Sequence, residues 1–184
     1  EADPTLSTDI TIDLDFFGNF TTTQRTLIER AADNWRNIIT KDMVPEGRLN
    51  IAVTQGTTEL DGTSWDPSVW ALTDFPYPER TIATPRVRQN LYTPYDNIQG
   101  VDYHTRIHFN SYALPTLSSN LLVRLSTHEI GHALYLDEAQ LDPLLGLDSV
   151  MDKSGLDARI TAGVYSRLEY LGYGVNRSPV LNWV

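Results

Sequence analysis

His128 and His132 stand four residues apart in Ser126-Thr127-His128-Glu129-Ile130-Gly131-His132-Ala133-Leu134, with Glu129 directly after the first. On a helix each residue turns about 100°, so the two imidazoles leave the axis only about 40° apart, one turn above the other. Both can reach a single metal ion. Glu129 then lies beside the position of a water on that ion. Zinc lowers the pKa of such a water to about 7, and an adjacent carboxylate can take its proton during attack on a carbonyl. The same Glu then delivers that proton to the leaving amine. Residue types and spacing are those that zinc-assisted peptide hydrolysis requires. The plain alternative is a helix with two surface histidines. The apolar residues around the pair argue against it, since histidines pointing into structure need partners.

Two histidines need at least a third protein ligand. The other histidines, His104 and His108, precede the motif, and His108 alternates away from Ile107 and Phe109, as a strand-face residue would. No histidine follows His132 and the chain has no cysteine, so the third ligand is expected to be an oxygen donor. Asp137, Glu138, Asp142 and Asp148 are the near candidates.

The elements that must hold these groups are legible from periodicity. Ile10, Ile12, Leu14 and Phe16 alternate with polar residues, which predicts a strand over 8–17. Thr21-Thr22-Thr23-Gln24 has the form of a helix cap, followed by Leu27, Ile28, Ala31, Trp35, Ile38 and Ile39 at helical spacing. Alternation returns over 48–55. Strand, helix and strand in that order predict a crossover and a mixed or parallel sheet. Thr105–Asn110 reads as a short strand, 117–136 as the helix carrying the histidines, and 159–171 as a last helix stopped by Gly172. The stretch 56–104 holds many prolines and aromatics. It is expected to form long loops whose aromatics pack as satellite core, with one edge strand near 80–88.

Composition narrows the function classes. The 184 residues suit one domain with a sizeable core. A net charge of −10 is unsuited to nucleic acid or an anionic membrane, and no apolar run reaches the length of a membrane span. The absence of cysteine excludes disulfides, thiolate metal sites and cysteine nucleophiles. A first residue of Glu1 with no apolar leader is expected of a processed product or an excised domain.

The segment His128–Glu138, HEIGHALYLDE, resembles the metzincin zinc-peptidase motif HExxHxxGxxH/D and is closest to its matrixin form, HEIGHALGLDH. Leu147–Asp152, LDSVMD, is similar to the methionine turn of that clan. Ala31–Ile39 and Ile160–Asn176 resemble the first and C-terminal helices of leishmanolysin-like metzincins. The resemblance implies zinc ligation by His128 and His132, with Glu129 as the base and Glu138 at the third-ligand position. It also implies that Met151 forms a hydrophobic floor beneath the metal, and that substrate pairs along an edge strand. Thr81–Arg88 is the local candidate for that strand, although Pro85 removes one donor. Two positions depart from the family pattern. Tyr135 replaces a glycine that allows a sharp turn off the helix, so either the turn is strained or the helix ends differently. Glu138 replaces His or Asp, and two His with one Glu remains an established catalytic set.

The expectation is therefore an α/β (α+β mixed) fold of metzincin-like type: a twisted mixed sheet with two helices over a small C-terminal subdomain. Residues 1–136 would form the N-terminal subdomain, and 137–184 would carry the methionine turn and final helix. The expected activity is a secreted, monomeric zinc endopeptidase acting on peptides or proteins. The alternative is a catalytically weak or inactive zinc module of the same fold that binds proteins. A structural calcium ion has no motif to support it.

Overall fold

Strands come first in this chain because its apolar residues alternate there, and the sheet they make is the platform for everything that follows. The computed structural model describes residues 11–42, 48–74 and 96–184. In chain order its elements are β1 (Thr11–Phe16), α1 (Thr22–Ile38), β2 (Ile39–Asp42), β3 (Arg48–Gly56), β4 (Ala71–Asp74), β5 (Asp96–Ile98), β6 (Val101–Tyr103), β7 (Thr105–Asn110), α2 (Ser119–Ala133), α3 (Ala162–Tyr170) and β8 (Tyr173–Val175). The fold is mixed α/β, with three α-helices among the described residues.

The main sheet runs β1-β3-β7-β4. The first three strands are parallel, and β4 is antiparallel to β7 at the edge. Thus the strand–helix–strand opening does give parallel neighbours, with Thr11 beside Arg48 and Phe16 beside Val53. Central β3 buries Leu49, Ile51, Ala52 and Val53, as a strand covered on both faces must. The expected edge strand near 80–88, with Thr81–Arg88 and Tyr77, Tyr92 and Tyr95 around it, lies outside the described residues, as do residues 8–10 of the expected first strand.

Helix α1 starts at the expected cap. Thr21 accepts a hydrogen bond from Gln24 N at 3.1 Å, and the Gln24 side chain accepts one from Thr21 N at 2.9 Å. Its apolar stripe packs against α2, and the Trp35 indole N–H donates to Thr127 O at 2.8 Å. Helix α2 is shorter than 117–136: Ser118 caps its start, and it stops at Ala133. Helix α3, capped by Thr161, is likewise shorter than 159–171. Strands β2 and β8 pair antiparallel and tie the end of α1 to the chain beyond α3. Periodicity alone places Ile39 in the helix; it begins β2 instead.

One hydrophobic core extends from Ile12 to Tyr173 and takes in Val150, Met151 and Leu168, so the chain after 136 shares its core with the chain before it. Among the described residues, no helix is long and apolar enough to cross a membrane.

Candidate metal centre

The last two turns of α2 carry His128, Glu129 and His132, and the way this helix ends sets the site. Tyr135 N donates to His132 O at 2.9 Å, and Leu136 N reaches back to Gly131 O at 3.0 Å. This pair of bonds is a Schellman motif, which needs its first non-helical residue in the left-handed region. Tyr135 occupies that place with φ +72°. Of the two outcomes expected for a tyrosine here, the chain takes the strained turn. Such a backbone costs a non-glycine residue roughly 1–2 kcal/mol. Burial of the Tyr135 ring and the two closing hydrogen bonds offset it.

The turn also orients the second histidine. Leu136 O, brought back over the helix end, accepts from His132 Nδ1 at 2.8 Å. Val150 O accepts from His128 Nδ1 at 2.8 Å. A carbonyl only accepts, so both rings carry their proton on Nδ1 and turn an Nε2 lone pair inward. The two Nε2 atoms face each other 3.0 Å apart. Two lone pairs at that distance require a proton or a cation between them. Two nitrogens on one tetrahedral zinc lie about 3.3 Å apart, given Zn–N bonds of about 2.05 Å. The spacing fits a shared metal ion.

Glu138 completes the group. One ligand atom from each of His128, His132 and Glu138 falls within 4.8 Å of the others, so these three residues could hold a metal ion. Glu138 also approaches Lys153 Nζ at 3.2 Å. The rival oxygen donors are engaged elsewhere. Asp142 is buried in a two-pronged pair with Arg167 at 2.7 and 3.0 Å. Asp148 pairs with Arg159 at the surface, and Asp137 accepts from the Glu138 amide. His108 is no ligand either: Thr54 Oγ1 and Thr58 O occupy its two ring nitrogens, and its ring stacks on Trp65. The Nδ1 of buried His104 accepts from Asn50 N.

Beneath the histidines, Ser149–Asp152 makes a turn closed by Asp152 N donating to Ser149 O at 3.0 Å. Met151 from this turn is fully buried, and its carbonyl accepts from Ala139 N at 2.9 Å. The turn is thereby pinned to the segment that carries Glu138.

Electrostatics suit a metal site. Burial pushes His128 down to about 3, with the neighbouring His132 adding to the effect and the bond to Val150 O opposing it. It is neutral at pH 7, as a ligand must be. Burial pushes the Glu129 carboxyl above its ordinary value, while His132 and a hydrogen bond from Thr73 pull the other way. Nothing in the sequence singles out Thr73. A lone threonine in a loop-like stretch carries no periodic or motif signal, and only the placement of β4 against α2 brings it to Glu129.

Comparison with known proteins returns no match: no family model, no curated protein and no solved structure.

Proposed function

We propose that this protein is a zinc-dependent endopeptidase of the metzincin type, with His128, His132 and Glu138 as zinc ligands and Glu129 as general base. The observation that carries the reading is the pair of inward Nε2 lone pairs at 3.0 Å, with Glu138 in reach and a buried carboxylate on the same helical turn. The tight turn at Tyr135 and the buried Met151 beneath α2 agree with the family pattern. Zinc, when bound, supplies Lewis acidity that lets water at the site ionise near pH 7.

The chain's own residues do the rest. Val150 O and Leu136 O fix the tautomers that free both Nε2 atoms for a ligand role. Glu129, whose carboxyl burial pushes above its ordinary value, takes a proton from the attacking water and passes it to the departing amine. Among the described residues β4 ends one side of the main sheet, and that edge is where a peptide backbone would add as a further strand. The setting this reading implies is a secreted monomer acting on peptides or proteins.

The deciding experiment is peptide or casein cleavage by zinc-loaded wild type and by Glu129→Ala. Loss of about 10²–10⁴-fold in rate with zinc retained supports the reading. No cleavage by the zinc-loaded wild type favours a binding module instead. The contact of Lys153 with Glu138 favours that second reading, since it gives the third ligand a competing partner.

A further inference from the structure

Thr73 lies on β4, one of the two edge strands of the main sheet among the described residues. Its side chain is on the same face as buried Ala71, toward α2, and its hydroxyl approaches both the Glu129 carboxylate, at Oε2, and Glu129 O. A hydroxyl has one proton to give. The carboxylate contact is the shorter and joins the donor to a charge, so the proton belongs there.

The backbone of the same residue looks the other way. Asn110 N donates to Trp70 O at 2.9 Å, which makes Trp70 and Asn110 a hydrogen-bonded pair. In an antiparallel ladder such pairs alternate with non-bonded ones. Leu72 opposite His108 is therefore bonded, and Thr73 opposite Ile107 is not. The Thr73 N–H and C=O consequently point off the sheet, to the side where a further strand would pair. A single residue turns its main chain away from β7, to the side where no other described strand lies, and its hydroxyl to the base.

We propose that Thr73 is a positioning residue: its hydroxyl holds Glu129 Oε2 in place for proton transfer and ties the base to the strand edge on which substrate docks. The proposal rests on the peptidase reading above. It needs no contact between Thr73 and the reacting atoms.

The test compares Thr73→Val, which keeps shape and strand preference but loses the hydroxyl, with Thr73→Ser, which restores it. In zinc-loaded protein, Thr73→Val is expected to lower kcat about tenfold to a hundredfold with KM within about twofold, because the docking edge is main chain. Thr73→Ser is expected to recover kcat to within about threefold of wild type. Zinc content and melting temperature should match wild type in both. A second arm uses metal-free protein. The Thr73 hydroxyl proton, followed by NMR, should exchange slowly with solvent in wild type and quickly in Glu129→Ala.

Thr73→Val with wild-type kcat, or with zinc and stability lost in step with kcat, overturns the proposal. So does a hydroxyl proton equally protected in Glu129→Ala. A zinc-loaded wild type that cleaves nothing overturns the peptidase reading itself, and the positioning role of Thr73 with it. A wild type that cleaves while Thr73→Val cleaves equally well overturns the role of Thr73 alone.

Discussion

Met151 lies so close beneath Gly131 that its Sδ is 2.5 Å from where a Cβ on that glycine would stand. Trp35 Cζ2 is 3.1 Å from the same point. The glycine inside the HEIGH segment is thus a packing requirement: it lets the Ser149–Asp152 turn and α1 both close on the helix between the two histidines.

Gly131→Ala should therefore destabilise the protein even though alanine is the better helix former by about 1 kcal/mol. Overpacking of a filled core costs about 1–3 kcal/mol. The difference is a net loss of up to about 2 kcal/mol, or up to about 8 °C in melting temperature. Adding Met151→Ala should relieve the clash, so that calorimetry of the double variant shows less loss than the two singles added together. Strict additivity would contradict the packing account.

Three of the four candidate oxygen donors separate by metal titration and urea unfolding. Glu138→Ala should weaken zinc binding about a hundredfold or more. Asp142→Ala should keep zinc and lose about 3 kcal/mol of stability, because it takes the carboxylate partner from a largely buried Arg167 charge. Asp148→Ala should change stability by less than about 1 kcal/mol, its pair with Arg159 being mostly in water. Normal zinc binding by Glu138→Ala would refute the ligand assignment.

At Tyr135 two effects oppose each other. Glycine would remove roughly 1–2 kcal/mol of backbone strain. It would also delete a buried aromatic side chain, a loss of about 3–5 kcal/mol. Lost packing outweighs relieved strain, so Tyr135→Gly should unfold at lower urea concentration than wild type, by about 2 kcal/mol. A variant as stable as wild type would mean that strain governs this turn.

His108 gives the fold a pH dependence of known sign. Burial holds its pKa below the usual 6.5, helped by Arg106 and opposed by the bond to Thr58 O. Below about pH 6.5 the unfolded chain takes up a proton that the folded chain refuses, so stability falls as pH drops through that value. The urea midpoint of wild type should fall between pH 7.5 and pH 5 by more than that of His108→Gln. An identical fall in both would remove His108 from the account.

Much of the framework is legible in the sequence because its signals are local. Alternation marks β1 and β3, the cap at Thr21 fixes the start of α1, and the spacing of His128 and His132 puts both rings on one helical face. What stays hidden depends on contacts between distant segments. Leu136 O and Val150 O orient the two rings from 4 and 22 residues away, and no periodicity reports a carbonyl's direction. The helix end shifts for a related reason. Leu134, Tyr135 and Leu136 are apolar and continue the helical pattern, yet they are buried by the turn they form. Asp142 is open as a ligand by sequence, and it is Arg167, in α3, that engages it apart from the histidine pair. Thr73 reaches Glu129 across 56 positions, which only the sheet can bridge.

The central claim is that His128, His132 and Glu138 clasp one zinc ion. Anomalous diffraction from zinc-reconstituted crystals, collected on both sides of the zinc absorption edge, tests it most directly. The account predicts a single strong peak bonded to both Nε2 atoms and a Glu138 carboxylate oxygen. A map with no peak there, or with zinc held by other residues, would contradict it.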